Sequence, residues 1–192
     1  MKDKSAHTQD SEDLQLQAAE LVRNDLRHYL LSKGMIDERF PEAPDLEDLW
    51  FKIGPSYLPD AIREFGDCPI VSFGWIMYVG MAVAKYWDED WEVYGKVNDL
   101  YTYLRDRIDF DHMDDYICDK VLLMEKSGKE RLVSVIGECA SRTLNTYMHM
   151  HLPPLSREAY VVFVTMIRQM YRTGVAMELK ALGYHMTATP II

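Results

Sequence analysis

The chain has 192 residues, 48% of them hydrophobic, and a formal net charge of −10. That length and apolar content predict one domain with a substantial core. The acidic balance excludes the clustered Lys and Arg on which nucleic-acid and anionic-membrane binding rest.

The charge is uneven along the chain. Residues 1–67 carry a net −7, residues 68–87 a net +1, residues 88–119 a net −8 and residues 120–192 a net +4. A cationic C-terminal part is therefore expected to dock on the acidic remainder, within the chain or between chains. Cys68, Cys118 and Cys139 are odd in number, far apart and outside any CxxC, as befits reduced thiols of a cytoplasmic protein. Residues 1–10 are polar, lack the apolar core of a secretory signal, and read as a flexible lead-in.

A single all-helical domain is expected over 11–184, with 185–192 as a tail. Ser11 is the expected N-cap of a first helix to about Ser32, with Leu14, Ala18, Leu21, Val22, Leu26, Tyr29 and Leu30 inward and Gly34 as its left-handed stop. Pro41, Pro44, Pro55 and Pro59 break the next stretch into short helices, one over Leu46–Ile53 and one over Leu58–Phe65, ended by Gly66. Seventeen residues without a charge then follow, Cys68 to Ala84. They fall short of the about 20 needed to cross a bilayer and contain Pro69, Ser72, Gly74 and Gly80, so they read as the central helix of a soluble bundle. Phe73, Met77, Gly80 and Ala84 share one face, and the Gly80-x-x-x-Ala84 step lets another backbone approach closely. The last helix, nearly as apolar, is the expected neighbour.

After a corner at Asp88-Glu89-Asp90, the stripe Tyr94, Val97, Tyr101, Leu104 and Ile108 predicts an amphipathic helix. A shorter one opens at Asp111. Ser127-Gly-Lys-Glu130 has the form of a capping box before a helix that turns Leu132, Ile136, Cys139, Thr143, Leu144 and Tyr147 inward. Ser156 caps the last helix, with Leu155 and Tyr160 at staple spacing, and Gly183 ends it. The expected architecture is all-α, a bundle of about five long and two or three short helices, largely antiparallel because the loops are short.

Four sets of residues carry candidate chemistry. Glu89-x-x-Glu92 and Asp111-x-x-Asp114 each place two carboxylates one helical turn apart, a ligand type suited to Mg²⁺ with a substrate phosphate. Over about thirty residues this spacing resembles the ExxE…ExxD pattern of the all-α nucleotide pyrophosphohydrolases related to MazG. Glu89 and Glu92 stand at the first pair, and Asp111 departs from the family glutamate. The resemblance implies Mg²⁺-dependent phosphohydrolysis; the competing reading is helix-start acids that favour the dipole. His149 and His151, two apart, point to different faces of a helix and cannot chelate together unless its end frays; His112 lies among acids that favour its protonation.

Arg168 and Arg172 lie one turn apart in an apolar helix and need an anionic partner, either a ligand or the acidic 88–119 region. Trp75, Tyr78, Tyr101 and Tyr171 lead a group of aromatic and methionine residues that would either line a pocket for a flat apolar ligand or pack as core. No nucleophile elbow or phosphate loop occurs.

The residues thus point first to a non-enzymatic helical binding protein that self-associates through an exposed aromatic or methionine patch. A Mg²⁺-dependent phosphohydrolase is the second reading. A ligand-sensing bundle with a cavity between its third and last long helices is the third. A homo-oligomer or protein partner, or an apolar or anionic small ligand, is expected, and no nucleic acid or membrane span.

Overall fold

A computed structural model describes residues 3–37, 43–66 and 68–184, and the fold is all-α. Its helices are α1 (Asp3–Ser32), α2 (Pro44–Asp48), α3 (Trp50–Phe65), α4 (Pro69–Tyr94), α5 (Leu100–Arg105), α6 (Met113–Tyr116), α7 (Lys126–His149) and α8 (Arg157–Ala181). A 3-10 turn, Phe110–His112, leads into α6 and a π turn, Ile117–Val121, leaves it. Pro41 and the tail over 185–192 lie outside the described residues.

Helix α4 is the axis of the bundle. From Ser72 to Ala84 every residue except Trp75 is buried, so this helix has no solvent face over three turns and α3, α5, α6, α7 and α8 all pack on it. By length and hydropathy Pro69–Tyr94 would be long enough to cross a membrane, but 72% of its apolar window is buried inside this chain. The helix is longer than its uncharged core, so burial rather than length is the relevant observation.

Helix α8 makes the most extensive contact with α4, and the two run parallel: Phe73 meets Phe163, Gly80 meets Tyr171, and Trp87 meets Tyr184. Glycine makes this approach possible. A Cβ built on Gly80 would collide with the Tyr171 carbonyl oxygen, and one on Gly174 with the carbonyl of Met77. Helix α7 runs antiparallel to both α4 and α1; Gly74 faces Ile136 and Ala140, and Asp25 meets Arg142.

Helix ends follow local chemistry in three places. Gly34 (φ +67) and Gly183 (φ +87) are left-handed. Each is followed by an amide that reaches back into the helix, Met35 N–H to the Leu30 carbonyl and Tyr184 N–H to that of Leu179, both at 2.9 Å, which makes a Schellman stop. Ser156 Oγ accepts the Ala159 amide at 3.1 Å.

Elsewhere the tertiary structure overrides local signals. Helix α1 starts at Asp3, so Ser11 is not its cap and residues 3–10 are helical rather than a separate lead-in. Pro55 and Pro59 lie inside one continuous α3. Their spacing of four puts both on the solvent face, where the carbonyls they leave without donors can be hydrated. The opposite face buries Trp50, Ile53, Tyr57 and Ala61. The Tyr57 hydroxyl donates to the Ser72 carbonyl at 2.6 Å, and the Ser72 hydroxyl donates to that of Ala61 at 3.2 Å, tying α3 to α4.

The expected long helix over 94–108 is also replaced. Asp90 leaves helical geometry (φ −162, ψ 83) and its carboxylate accepts the Val93 amide, so the acidic corner is real. Asp99 then restarts the chain by accepting the Tyr101 amide and the Thr102 hydroxyl, giving only the six residues of α5. Ser127 sits inside α7, whose cap position is Glu125, and Glu130 faces Lys126 at 4.0 Å; the capping box does not form. Leu155 is 75% exposed and does not close a staple.

Two alanine substitutions check the helix contact with opposite signs. Gly174→Ala is expected to destabilise the fold by about 1–3 kcal/mol, because backbone rather than a flexible side chain stands in the way. Gly137→Ala, with nothing within 4 Å, is expected to stabilise it by about 0.5–1 kcal/mol. Urea denaturation followed by far-ultraviolet circular dichroism measures both.

Candidate functional site

The four carboxylates of the pyrophosphohydrolase-like pattern are not brought together. The Trp75 indole donates to the Phe110 carbonyl, which places Asp111 beside the first turns of α4, and Asp114 stands near Tyr78. Glu89 lies fourteen residues beyond Trp75, about 21 Å along the axis at 1.5 Å per residue. It is exposed and paired with Lys85 at 3.5 Å, and Glu92 and Asp111 are exposed too. Among the described residues no group of three or more Asp, Glu, His or Cys side chains could hold a metal ion. The expected Mg²⁺ site therefore does not assemble, because the break at Asp90 and the short α5 carry the two pairs to different ends of α4. Nor is Asp111 a helix cap with Asp114 as its partner; it lies in the 3-10 turn.

The aromatic group is core. Tyr78, Tyr101 and Tyr171 are buried, and their hydroxyls or rings already have partners inside the chain. Tyr101 donates to Asp60 at 2.5 Å beside Arg105, Tyr171 donates to the Leu46 carbonyl at 2.8 Å, and Tyr78 stands edge-on to Trp75. Burial holds all three phenols well above the ordinary tyrosine range. The space a flat ligand would need is filled by Tyr57, Phe110 and these rings.

Arg168 and Arg172 find their compensation in α2 and α3, not in the 88–119 region. Arg172 meets Glu47 at 2.8 Å, and the Arg168 guanidinium lies 5.5 Å from the Phe51 ring centroid. The wider charge expectation holds: Lys129 pairs with Asp115 and Asp119, Arg142 with Asp25, and Lys180 with Asp37, each a cation of 120–192 on an acid of 1–119. The His112 imidazole is held above its ordinary value by its 2.6 Å hydrogen bond to Asp109. Burial pushes the Cys118 and Cys139 thiols up to about 12, so neither is a ready nucleophile.

The structure assembles two features that the sequence did not point to as sites, although His149 and His151 of the second stand out in it as a pair. The first is Glu178 of α8, only 6% exposed, whose carboxyl rises from 4.5 to about 7. Burial is the main cause; Lys85 opposes it and Asp88 adds to it. A carboxylate between Met177 and Leu179 in an apolar helix was the available signal.

The second is the bundle end where α7 stops. His149 closes α7 with its Nδ1 2.7 Å from the Asn145 carbonyl, and the His149 and His151 rings stand 6.3 Å apart. His151 (φ 50) and Leu155 (φ 56) are left-handed and bracket Leu152-Pro153-Pro154. For non-glycine residues that conformation costs about 1 kcal/mol or more each, so the packing around the loop must hold it. A cleft of about 510 Å³ opens there, lined by Phe65, Gly66, Pro69, Leu144, Tyr147, Met148, His151, Leu152, Pro154 and Leu155. Its Phe65 ring is keyed into the core through Phe163 and Phe73, with centroids 4.6 and 5.4 Å apart. A second cleft of about 460 Å³, between α1 and α7, is lined by Leu14, Gln17, Leu21, Asn145, Thr146, His149 and Met150. Among the described residues neither lining contains a carboxylate. Met148 (62% exposed) and Leu155 (75% exposed) stand on the rim of the first.

Comparison with protein-family models, with curated proteins and with solved structures finds no match to this chain.

The buried carboxyl gives a test by pH. Its folded-state pKa exceeds the unfolded value, so its stabilising contribution is complete below about pH 4.5 and lost as pH rises through about 7. Glu178→Gln is expected to match the native protein at low pH and to exceed it above neutrality by on the order of 3 kcal/mol. Urea denaturation at a series of pH values reads the difference; parallel curves would contradict the assignment.

Proposed function

We propose that this chain is a non-catalytic binding protein of the cytoplasm, and that the cleft at the end of α7 is its working surface. One observation carries the reading. In a chain of net charge −10, a hollow whose described lining contains no carboxylate is framed by two exposed apolar side chains, Met148 near the end of α7 and Leu155 on the following loop, which is held in a costly backbone conformation. Solvent-exposed apolar side chains around a preformed hollow are what a partner's apolar segment buries on binding.

Three further facts support it. The residues that could have done chemistry are engaged in structure: Tyr101 with Asp60, Arg172 with Glu47, Tyr171 with Leu46. The burial of α4 among five helices supports its reading as a core helix rather than a span. The three free thiols, two of them buried, suit a reducing compartment.

Binding of the apolar fluorophore 1-anilinonaphthalene-8-sulfonate tests the cleft directly. Gly66 lines it in ordinary helical geometry with nothing within 4 Å, so Gly66→Trp fills the hollow without backbone strain. The native protein is expected to bind the dye with a blue-shifted emission, and Gly66→Trp to bind it at least about tenfold more weakly, about 1.4 kcal/mol, at an unchanged melting temperature. Absence of native binding, or equal binding by both, would reject the cleft as the working surface.

A further inference from the structure

We propose that His149 and His151, together with the thioethers of Met148 and Met150, form a site for a soft monovalent metal ion of the copper(I) class. Metal binding here needs no apolar partner in the cleft, so it stands or falls apart from the reading above.

The helix end makes the pair possible. Residues two apart on a regular helix point to different faces and cannot share an ion. Helix α7 stops at His149, and His151 turns left-handed (φ 50) two residues on. Past that turn the two exposed rings stand with their centres 6.3 Å apart. A left-handed residue other than glycine is a strained position of the kind that collects at binding sites.

One ring is also oriented for a metal. His149 Nδ1 lies 2.7 Å from the Asn145 carbonyl oxygen, which can only accept, so Nδ1 carries the proton and donates. Nε2, across the ring, keeps its lone pair. A backbone carbonyl on one nitrogen and a bare second nitrogen is how metal-binding histidines are held. The pair stands at the C-terminal end of a 24-residue helix, whose dipole favours a cation, in a chain of net charge −10.

Spacing and ligand type select the ion. With metal–nitrogen bonds of about 2.0–2.1 Å, two imidazoles on one ion have ring centres at most about 6.4 Å apart in a line, and about 5.2 Å apart at a tetrahedral angle. The separation of 6.3 Å fits the near-linear arrangement that copper(I) and silver(I) adopt between two nitrogens. A tetrahedral Zn²⁺ site needs more ligands, and among the described residues no third Asp, Glu, His or Cys joins the pair. Sulfur is close by instead: Met148 lines the cleft that His151 lines, and Met150 the one that His149 lines. Thioether and imidazole together favour copper(I) over harder ions.

Anaerobic titration of Cu⁺ in competition with the chelator bicinchoninate tests the site. Cys68→Ser serves as the parent, because Cys68 is the exposed thiol and would compete for the ion. The parent is expected to bind one equivalent. His149→Gln and His151→Asn are each expected to weaken binding at least about tenfold, with unchanged circular dichroism melting; asparagine is chosen because it accepts a left-handed backbone. His28→Gln, at an exposed histidine of α1, is expected to bind as the parent does. Zn²⁺ is expected to bind at least about tenfold more weakly than Cu⁺, and Met148→Leu combined with Met150→Leu to narrow that preference. Asp67 adjoins the lining residue Gly66 and lies outside the described residues; Asp67→Asn is expected to keep full affinity. No uptake by the parent, or equal uptake by the two histidine variants, overturns the site. Zn²⁺ binding as tight as that of Cu⁺, a preference untouched by the methionine changes, or loss in Asp67→Asn overturns its assignment to a soft ion.

Discussion

The backbone contact between α4 and α8 is the constraint from which the rest of this structure follows. Gly80 and Gly174 remove the two side chains that would otherwise hold these helices apart, and each glycine receives the other helix's main chain. The axes then lie close enough for Phe73, Met77, Val79, Met166, Met170 and Tyr171 to be fully buried. Because α4 and α8 run parallel, they cannot be joined by a short turn. The chain between them has to cross the bundle, and α5, α6 and α7 make that crossing while covering the remaining faces of α4. The position of α7 follows, and with it the cleft at its end.

Polar groups then secure the outer layers. Helix α3 is held to α4 by the Tyr57–Ser72–Ala61 relay and to α5 by Asp60, which accepts from Tyr101 and Arg105. Helix α2 is held to α8 by Tyr171 on Leu46 and by the Arg172–Glu47 pair. These links occupy the arginine and tyrosines that looked available for a ligand. They also explain how α3 tolerates two interior prolines: each proline forfeits a hydrogen bond on the water side, while buried apolar side chains and buried hydrogen bonds hold the inner side. Glu178 is the exception in this pattern, a buried carboxyl facing Lys85 and Asp88 whose burial works against the fold at neutral pH.

Much of the fold was legible in the sequence where its cause is local or periodic. Gly34 and Gly183 mark left-handed stops because few other residues adopt that geometry cheaply. Ser156 marks a start because its hydroxyl reaches the amide three residues on. The stripe Tyr94, Val97, Tyr101, Leu104, Ile108 told which side faces inward even though the helix it implied is broken by Asp90 and Asp99. The candidate site was much less legible. His149 and His151 were visible as a pair, and the exclusion of joint chelation on a regular helix followed from their spacing. That the second histidine turns left-handed, and that Phe65 and Pro69 come from far along the chain to wall the cleft, has no local signature.

Taken by itself, the sequence determined the helical class, the central place of the apolar segment, and its close approach to the last helix. Composition, period and the Gly-x-x-x-Ala step act over one or two turns and need no knowledge of neighbours. The tertiary structure alone decided that α3 is continuous and that α7 begins at Lys126 behind Glu125, which leaves Ser127 inside the helix with no capping role. It also decided that Arg168 and Arg172 turn to α2 and α3, that the metal-like acids lie at different ends of α4, and that a largely apolar hollow forms where α7 stops. These outcomes depend on which surfaces meet across tens or hundreds of residues of chain. The burial energy gained there outweighs the local preference of about 1–3 kcal/mol that a proline or a missing cap expresses.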